Sequence, residues 1–110
     1  MSHQTNEAVI NALNECAAAC NHCFSGCLSE KDVAAMVGCI KLDRDCADIC
    51  QTVSSFPSRG SEHGKHLLKE CIEICEKCAV ECEKHAQHHD HCKQCAEACR
   101  RCADACKGMN

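Results

Sequence analysis

Residues 91–107 read His-Cys-Lys-Gln-Cys-Ala-Glu-Ala-Cys-Arg-Arg-Cys-Ala-Asp-Ala-Cys-Lys, with cysteines at 92, 95, 99, 102 and 106. Steps that alternate between three and four residues keep side chains on one face of an α-helix, the a/d row that leucine fills in ordinary bundles. Ala, Lys, Gln, Glu, Arg and Asp take the remaining positions after His91. The segment therefore reads as an amphipathic helix whose buried face is sulfur instead of hydrocarbon.

The same row recurs along the chain. Cys16, Cys20, Cys23 and Cys27 form one stripe, and Cys71, Cys75, Cys78 and Cys82 repeat its steps. Cys39, Cys46 and Cys50 make a third stripe, spaced by seven and four. Breakers separate the stripes. Ser54-Ser55-Phe56-Pro57-Ser58-Arg59-Gly60-Ser61 divides the chain into halves, Ser29-Glu30-Lys31-Asp32 looks like a helix start, and Ser61 is a candidate N-cap. Gln87-His88-His89-Asp90 is a polar join, and Gly108 stands where a C-cap is wanted. Helices are predicted over about 7–28, 30–53, 62–87 and 90–107. Short joins make them an all-α, antiparallel up-down-up-down four-helix bundle with a cysteine-lined core, one domain spanning residues 1–110.

Composition agrees that sulfur fills the centre. The chain has 110 residues, 16 of them Cys and 14 Ala, and its larger apolar residues are only five Val, five Ile, five Leu, three Met and two Phe. That is too little hydrocarbon for a core of ordinary density. No run of 18 apolar residues is present, and the N-terminus has neither a basic start nor an apolar stretch. A cytoplasmic protein with no membrane partner is expected. Net charge is -4, and neither Trp nor Tyr occurs, which argues against nucleic acid as a partner.

Seven Cys-x-x-x-Cys pairs, 16/20, 23/27, 46/50, 71/75, 78/82, 95/99 and 102/106, use fourteen of the cysteines, leaving Cys39 and Cys92 to bridge helices. Side chains four apart on a helix have Cβ atoms about 5–6 Å apart, so two sulfurs can grip one ion. Two- or three-coordinate soft ions suit that geometry, and thiolates select Cu(I). Charge favours the same ion. Sixteen thiolates in a low-dielectric interior need about one monovalent cation each, whereas about six Zn(II) in tetrahedral sulfur sites leave about four negative charges. A zinc or general soft-metal buffer is the alternative reading. A disulfide framework belongs to secreted, loop-rich domains, and iron–sulfur clusters need ligands converging from a loop. Cysteine as a mere small hydrophobe explains one or two positions, not sixteen in phase.

The two ends differ. Continued by heptads, the rows reach Val9 and Leu13, Val53, Leu68 and Met109, all at one end with Phe56 nearby, which predicts an apolar plug. The other end collects Met36, His85, His88, His89 and His91, donors suited to passing ions to Cys27, Cys82 and Cys92. Asp43 falls in the row between Cys39 and Cys46, either turned outward or a buried oxygen donor. His3, His22, His63 and His66 are out of phase and expected at the surface. Ile10, Ala17, Phe24, Ile40 and Ala47 form secondary apolar flanks, against the core or a partner.

Repeated Cys-x-x-x-Cys on four helices, Cys82-Glu83-Lys84-His85, and His91-Cys92 opening the last stripe closely resemble the bacterial copper storage proteins, in their cytosolic branch. The likeness covers about residues 7–107. It implies a bundle storing many Cu(I) ions through thiolates, with His and Met assisting at the open end, assembled as a homotetramer. A copper chaperone is the donor or acceptor partner to be looked for. The expected ligands are Cys16, Cys20, Cys23, Cys27, Cys39, Cys46, Cys50, Cys71, Cys75, Cys78, Cys82, Cys92, Cys95, Cys99, Cys102 and Cys106, with Met36, His85, His88 and His91 at the mouth. No acid, base and cleft constellation is visible, so the expected role is binding and not catalysis.

Overall fold

The structure, a computed structural model, describes the backbone of residues 3–109 and the side chains of residues 7–109. Four helices form it: α1 (His3–Leu28), α2 (Val37–Ser58), α3 (Leu68–Glu83) and α4 (Asp90–Lys107). Each packs against two neighbours, α1 on α2 and α4, α3 on α2 and α4, in an antiparallel ring 46 Å long and under 20 Å across. No strand occurs among the described residues.

The helices form where the cysteine rows predict them, but five boundaries differ, the first being the start of α1, at His3 and not residue 7. Asp32 does cap, accepting a hydrogen bond from the Ala35 amide at 3.2 Å. The turn it opens, Val33–Met36, is wound as a 3₁₀ helix, so α2 proper begins at Val37 and not at residue 30. Met36 ends that turn with its side chain buried. At the other end α2 runs past the serine cluster and Pro57 to Ser58. The hydroxyls of Ser54, Ser55 and Ser58 donate back to the carbonyls of Gln51, Thr52 and Ser54, satisfying themselves inside the helix instead of ending it. The stop is Gly60, whose φ of 75° only glycine adopts freely. Its amide bonds Pro57 O and the Ser61 amide bonds Phe56 O, the paired 5→2 and 6→1 bonds of a Schellman motif.

The third helix was expected over 62–87 and is shorter. Ser61 accepts from the His63 amide, as a cap should, but the turn it opens, His63–Leu67, is again 3₁₀. Beyond Glu83 the chain tightens into i→i−3 turns, His85 N to Cys82 O and His88 N to His85 O. His85 therefore lies in a turn and not on the helix row. α4 matches its expected span. Gly108 sits at its C-cap with φ −67°, a right-handed conformation that does not require glycine.

The apolar plug forms. Val9, Leu13, Val53 and Leu68 are buried together, with Met109 partly buried beside them. Phe56 packs over Gly64, where a Cβ would lie 2.8 Å from the Phe56 Cβ. The plug is not tight: a partly open cavity of about 220 Å³ is lined by Val9, Leu13, Val53, Leu68 and Met109, among others. Bidentate Arg100–Glu83 and Lys107–Glu76 tie α4 to α3 on the outside, worth about 0–1 kcal/mol each at such exposure.

Leu13 is among the largest wholly buried side chains. Leu13→Ala should lower the stability of the metal-free, reduced protein by about 2–5 kcal/mol, by enlarging a space the plug already leaves. Urea unfolding followed by circular dichroism measures it.

Candidate metal centre

All sixteen cysteines are free and wholly buried. Every stripe points at the bundle axis, so the sulfurs form one continuous column. Cys39 and Cys82 approach to 3.3 Å, Cys16 meets Cys46 and Cys99 at 3.7 Å, and Cys75 meets Cys46, Cys50 and Cys102 at 3.7 Å.

Groups of four sulfurs lie within 4.8 Å of one another: Cys16, Cys46, Cys50 and Cys75; Cys16, Cys20, Cys46 and Cys99; Cys20, Cys78, Cys95 and Cys99; Cys23, Cys27, Cys39 and Cys92; Cys50, Cys71, Cys75 and Cys102. Each of these tetrads combines one Cys-x-x-x-Cys pair from one helix with single thiols from two others. The spacing identifies the pairs. Which partners complete them depends on the axial stagger between helices, which no single stripe contains. Tetrads also share members, so the column is an overlapping series of sites.

Met36 is buried at the mouth end of α2, and His91 is only 14% exposed. The His91 Nδ1 lies 3.5 Å from the sulfurs of Cys23 and Cys92 and 4.0 Å from that of Cys27. Its Nε2 donates to Glu30 at 2.8 Å, and His89 Nδ1 is 3.1 Å from the same oxygen. The hydrogen bond from His91 holds the Glu30 carboxyl below its ordinary value. His85 is partly buried. Its Nε2 faces Glu81 at 3.5 Å, an ion-pair distance but too long for a good hydrogen bond, and is otherwise unpartnered. His88 is exposed on the outer side of the turn, and its neighbour His89 is the residue that reaches Glu30. His22, His63 and His66 are exposed, and the side chain of His3 lies outside the described residues. Ala17 and Ala47 are buried, while Ile10, Phe24 and Ile40 are partly covered.

Asp43 turns inward and is wholly buried. Its Oδ1 accepts from the thiols of Cys95, Cys78 and Cys82 at 3.3, 3.4 and 3.6 Å, while Oδ2 has no partner. Burial, then the nearby Cys95, pushes this carboxyl up to about 8. Burial likewise raises the mouth thiols, Cys27 to about 11 and Cys92 further. Burial thus favours the protonated form of Asp43, Cys27 and Cys92 in the metal-free protein. Glu30 and the exact seating of His91 carry no sequence signal, because they depend on α1 meeting α4 across more than sixty residues.

Sixteen inward thiols in overlapping tetrads, with imidazoles at one end and hydrocarbon at the other, define a four-helix bundle built to hold many soft metal ions. The sequence profile of the copper storage proteins matches residues 2–110, and the chain belongs to that family. A cytosolic copper storage protein from Streptomyces lividans, solved with five coppers, is 38% identical and superposes with a TM-score of 0.92 over 96% of this chain and 92% of that one. The Cu(I)-bound copper storage protein BsCsp3 is 46% identical, with a TM-score of 0.88 over 96% of this chain and 97% of that one. The cysteine-rich protein YhjQ of Bacillus subtilis strain 168 is 46% identical over 73 residues, 66% of this chain and 68% of that protein.

Asp43 yields a test. In the unfolded chain it loses its proton near 3.8, but in the folded metal-free protein only near 8. Between those values the folded state binds the extra proton, so its stability falls as pH rises. From pH 5.5 to 7.5 the loss from this group should be roughly 2–3 kcal/mol, at about 1.4 kcal/mol per pH unit. Asp43→Asn should not show it. Urea unfolding of both metal-free proteins at the two pH values checks the difference, and parallel changes would refute a buried proton.

Proposed function

We propose that this chain is a cytosolic Cu(I) store that holds many ions through the thiolates of its sixteen cysteines. The observation that carries the reading is the continuous column of buried, unbridged sulfurs, in which fourteen thiols fall in the overlapping tetrads described above. Each Cu(I) that binds replaces a thiol proton and leaves the interior neutral, giving a capacity on the order of sixteen and about one proton released per ion. Zn(II) in the same column leaves net negative charge where, among the described residues, no Lys or Arg is buried to offset it. The single bundle domain is the whole storage unit in this reading, and it turns over no substrate. The location follows the Streptomyces lividans relative, described as cytosolic. No helix among the described residues is long and apolar enough to cross a membrane.

Ions enter at the imidazole end. Met36, His85, His88 and His91 pick up copper from a chaperone and pass it to Cys27, Cys82 and Cys92, since the other end is filled with hydrocarbon. His85 has an unpartnered buried nitrogen, which suits a transient ligand. Assembly as a homotetramer follows the family resemblance, and the half-covered Ile10, Phe24 and Ile40 are apolar surface available for it.

An anaerobic Cu(I) titration of the reduced protein tests the store. With no Trp or Tyr, near-ultraviolet absorbance from metal–thiolate bonds rises on a clear background. It should rise until on the order of sixteen equivalents are bound, with proton release in step. Saturation near six equivalents with Zn(II) preferred would refute the copper reading. His85→Ala should slow the rise in stopped flow while leaving the endpoint unchanged, and equal rates would remove His85 from the path.

A further inference from the structure

Gly26 stands inside α1, in its last turn, where glycine weakens a helix relative to alanine. Its backbone does not need a glycine, since Gly60 has the only positive φ among the described residues. What it supplies is space. A Cβ at Gly26 would lie 2.8 Å from both Cγ and Cδ2 of the His91 ring and 3.1 Å from its Nδ1. Four residues on, Glu30 meets the far edge of that ring through the 2.8 Å hydrogen bond from His91 Nε2. The ring is thus set against bare backbone on one side and tied to a carboxylate at one nitrogen.

The tie determines which nitrogen carries hydrogen. An ionised carboxylate only accepts hydrogen bonds, so the nitrogen facing Glu30 must be Nε2–H. A neutral imidazole then presents a lone pair at Nδ1, the atom that lies between the sulfurs of Cys23, Cys27 and Cys92. If the ring turned over by half a rotation, carbon would face those sulfurs instead. His89 shares the same Glu30 oxygen, and its ring centroid is 5.5 Å from that of His91, so the seat also orders the second imidazole of the mouth.

We propose that Gly26 and Glu30 form a seat that fixes the orientation and tautomer of His91, so that its Nδ1 lone pair stands ready beside Cys23, Cys27 and Cys92 to take up Cu(I). They are positioning residues, acting through His91. The proposal rests on the copper reading above, and metal sites elsewhere use the same device, a carboxylate that orients a ligating imidazole from its far nitrogen.

The test compares the wild-type protein with Glu30→Ala, Glu30→Gln and Gly26→Ala, each confirmed folded by circular dichroism. In the metal-free protein at a pH where imidazoles are neutral, long-range ¹⁵N NMR should show His91 with hydrogen on Nε2, protected from exchange with water. Glu30→Ala should lose that protection. Glu30→Gln should retain it, because the amide oxygen still accepts. Gly26→Ala should shift the His91 ring resonances. In stopped flow with Cu(I) alone, the first equivalents should bind on the order of tenfold more slowly in Glu30→Ala and Gly26→Ala, and near the wild-type rate in Glu30→Gln, with one common endpoint.

Hydrogen on Nδ1 of His91 in the wild type overturns the seat. So do equal uptake rates in all four proteins. Slow uptake in Glu30→Gln with the Nε2 proton still protected also overturns it, since charge and not positioning would then be at work. If the wild type takes up no Cu(I), the storage reading fails, while the NMR comparison still decides whether the seat exists.

Discussion

The interior of this bundle can be sulfur only if it stays electrically neutral. A thiolate in a dry core costs far more than the few kcal/mol that separate folded from unfolded chains, and sixteen of them would be prohibitive. Two states avoid that cost: every thiol protonated, or every proton replaced by a monovalent cation. The absence of buried Lys or Arg in the described core leaves no third way. Storage is then an exchange of one positive charge for another, and the fold need not rearrange to accept it. Neighbouring sulfurs already touch at 3.3–4.0 Å in the metal-free column, and bound ions add metal–sulfur bonds that stabilise the folded state by mass action.

Much of this was legible in the sequence because helical period is a local property. The 3–4–3–4 spacing from Cys92 to Cys106 places five sulfurs on one face whatever the rest of the chain does, and the same holds for Cys16 to Cys27 and Cys71 to Cys82. What local pattern could not specify was the winding of the joins. Asp32 and Ser61 are both good caps, and both do cap, yet each opens a 3₁₀ turn, which no capping residue distinguishes from an α turn. The serine and proline cluster misled in the opposite sense. Pro57 is the second-last residue of α2, so hardly any helix follows it to be disrupted, and three serines satisfied by carbonyls one turn back do not break the ladder.

The candidate site divides along the same line. That sulfurs line the axis follows from each stripe alone, whereas membership of each tetrad follows from how far one helix is displaced along another. The histidine cluster shows this most clearly. His85 was in phase only if α3 continued past Glu83, and the chain instead tightens into turns that bring His89 and His91 to Glu30 and leave His88 outside. A polar join can be recognised as ligand-rich from composition, but which imidazole faces inward is a property of the turn.

Asp43 alters the charge count. A thiol row with one carboxyl in it holds seventeen acidic groups, and this one is surrounded by thiols of α3 and α4 that donate to a single oxygen. While the tube is empty, burial keeps its proton in place, as it does for the thiols of Cys27 and Cys92. Cu(I) on the neighbouring thiolates leaves them neutral, so burial continues to favour the protonated carboxyl until a further cation takes that proton's place. Cargo and proton are therefore linked at Asp43 as they are at each cysteine. An oxygen acid at this position makes the middle of the column respond to pH near 8, below the range to which burial pushes the thiols of Cys27 and Cys92.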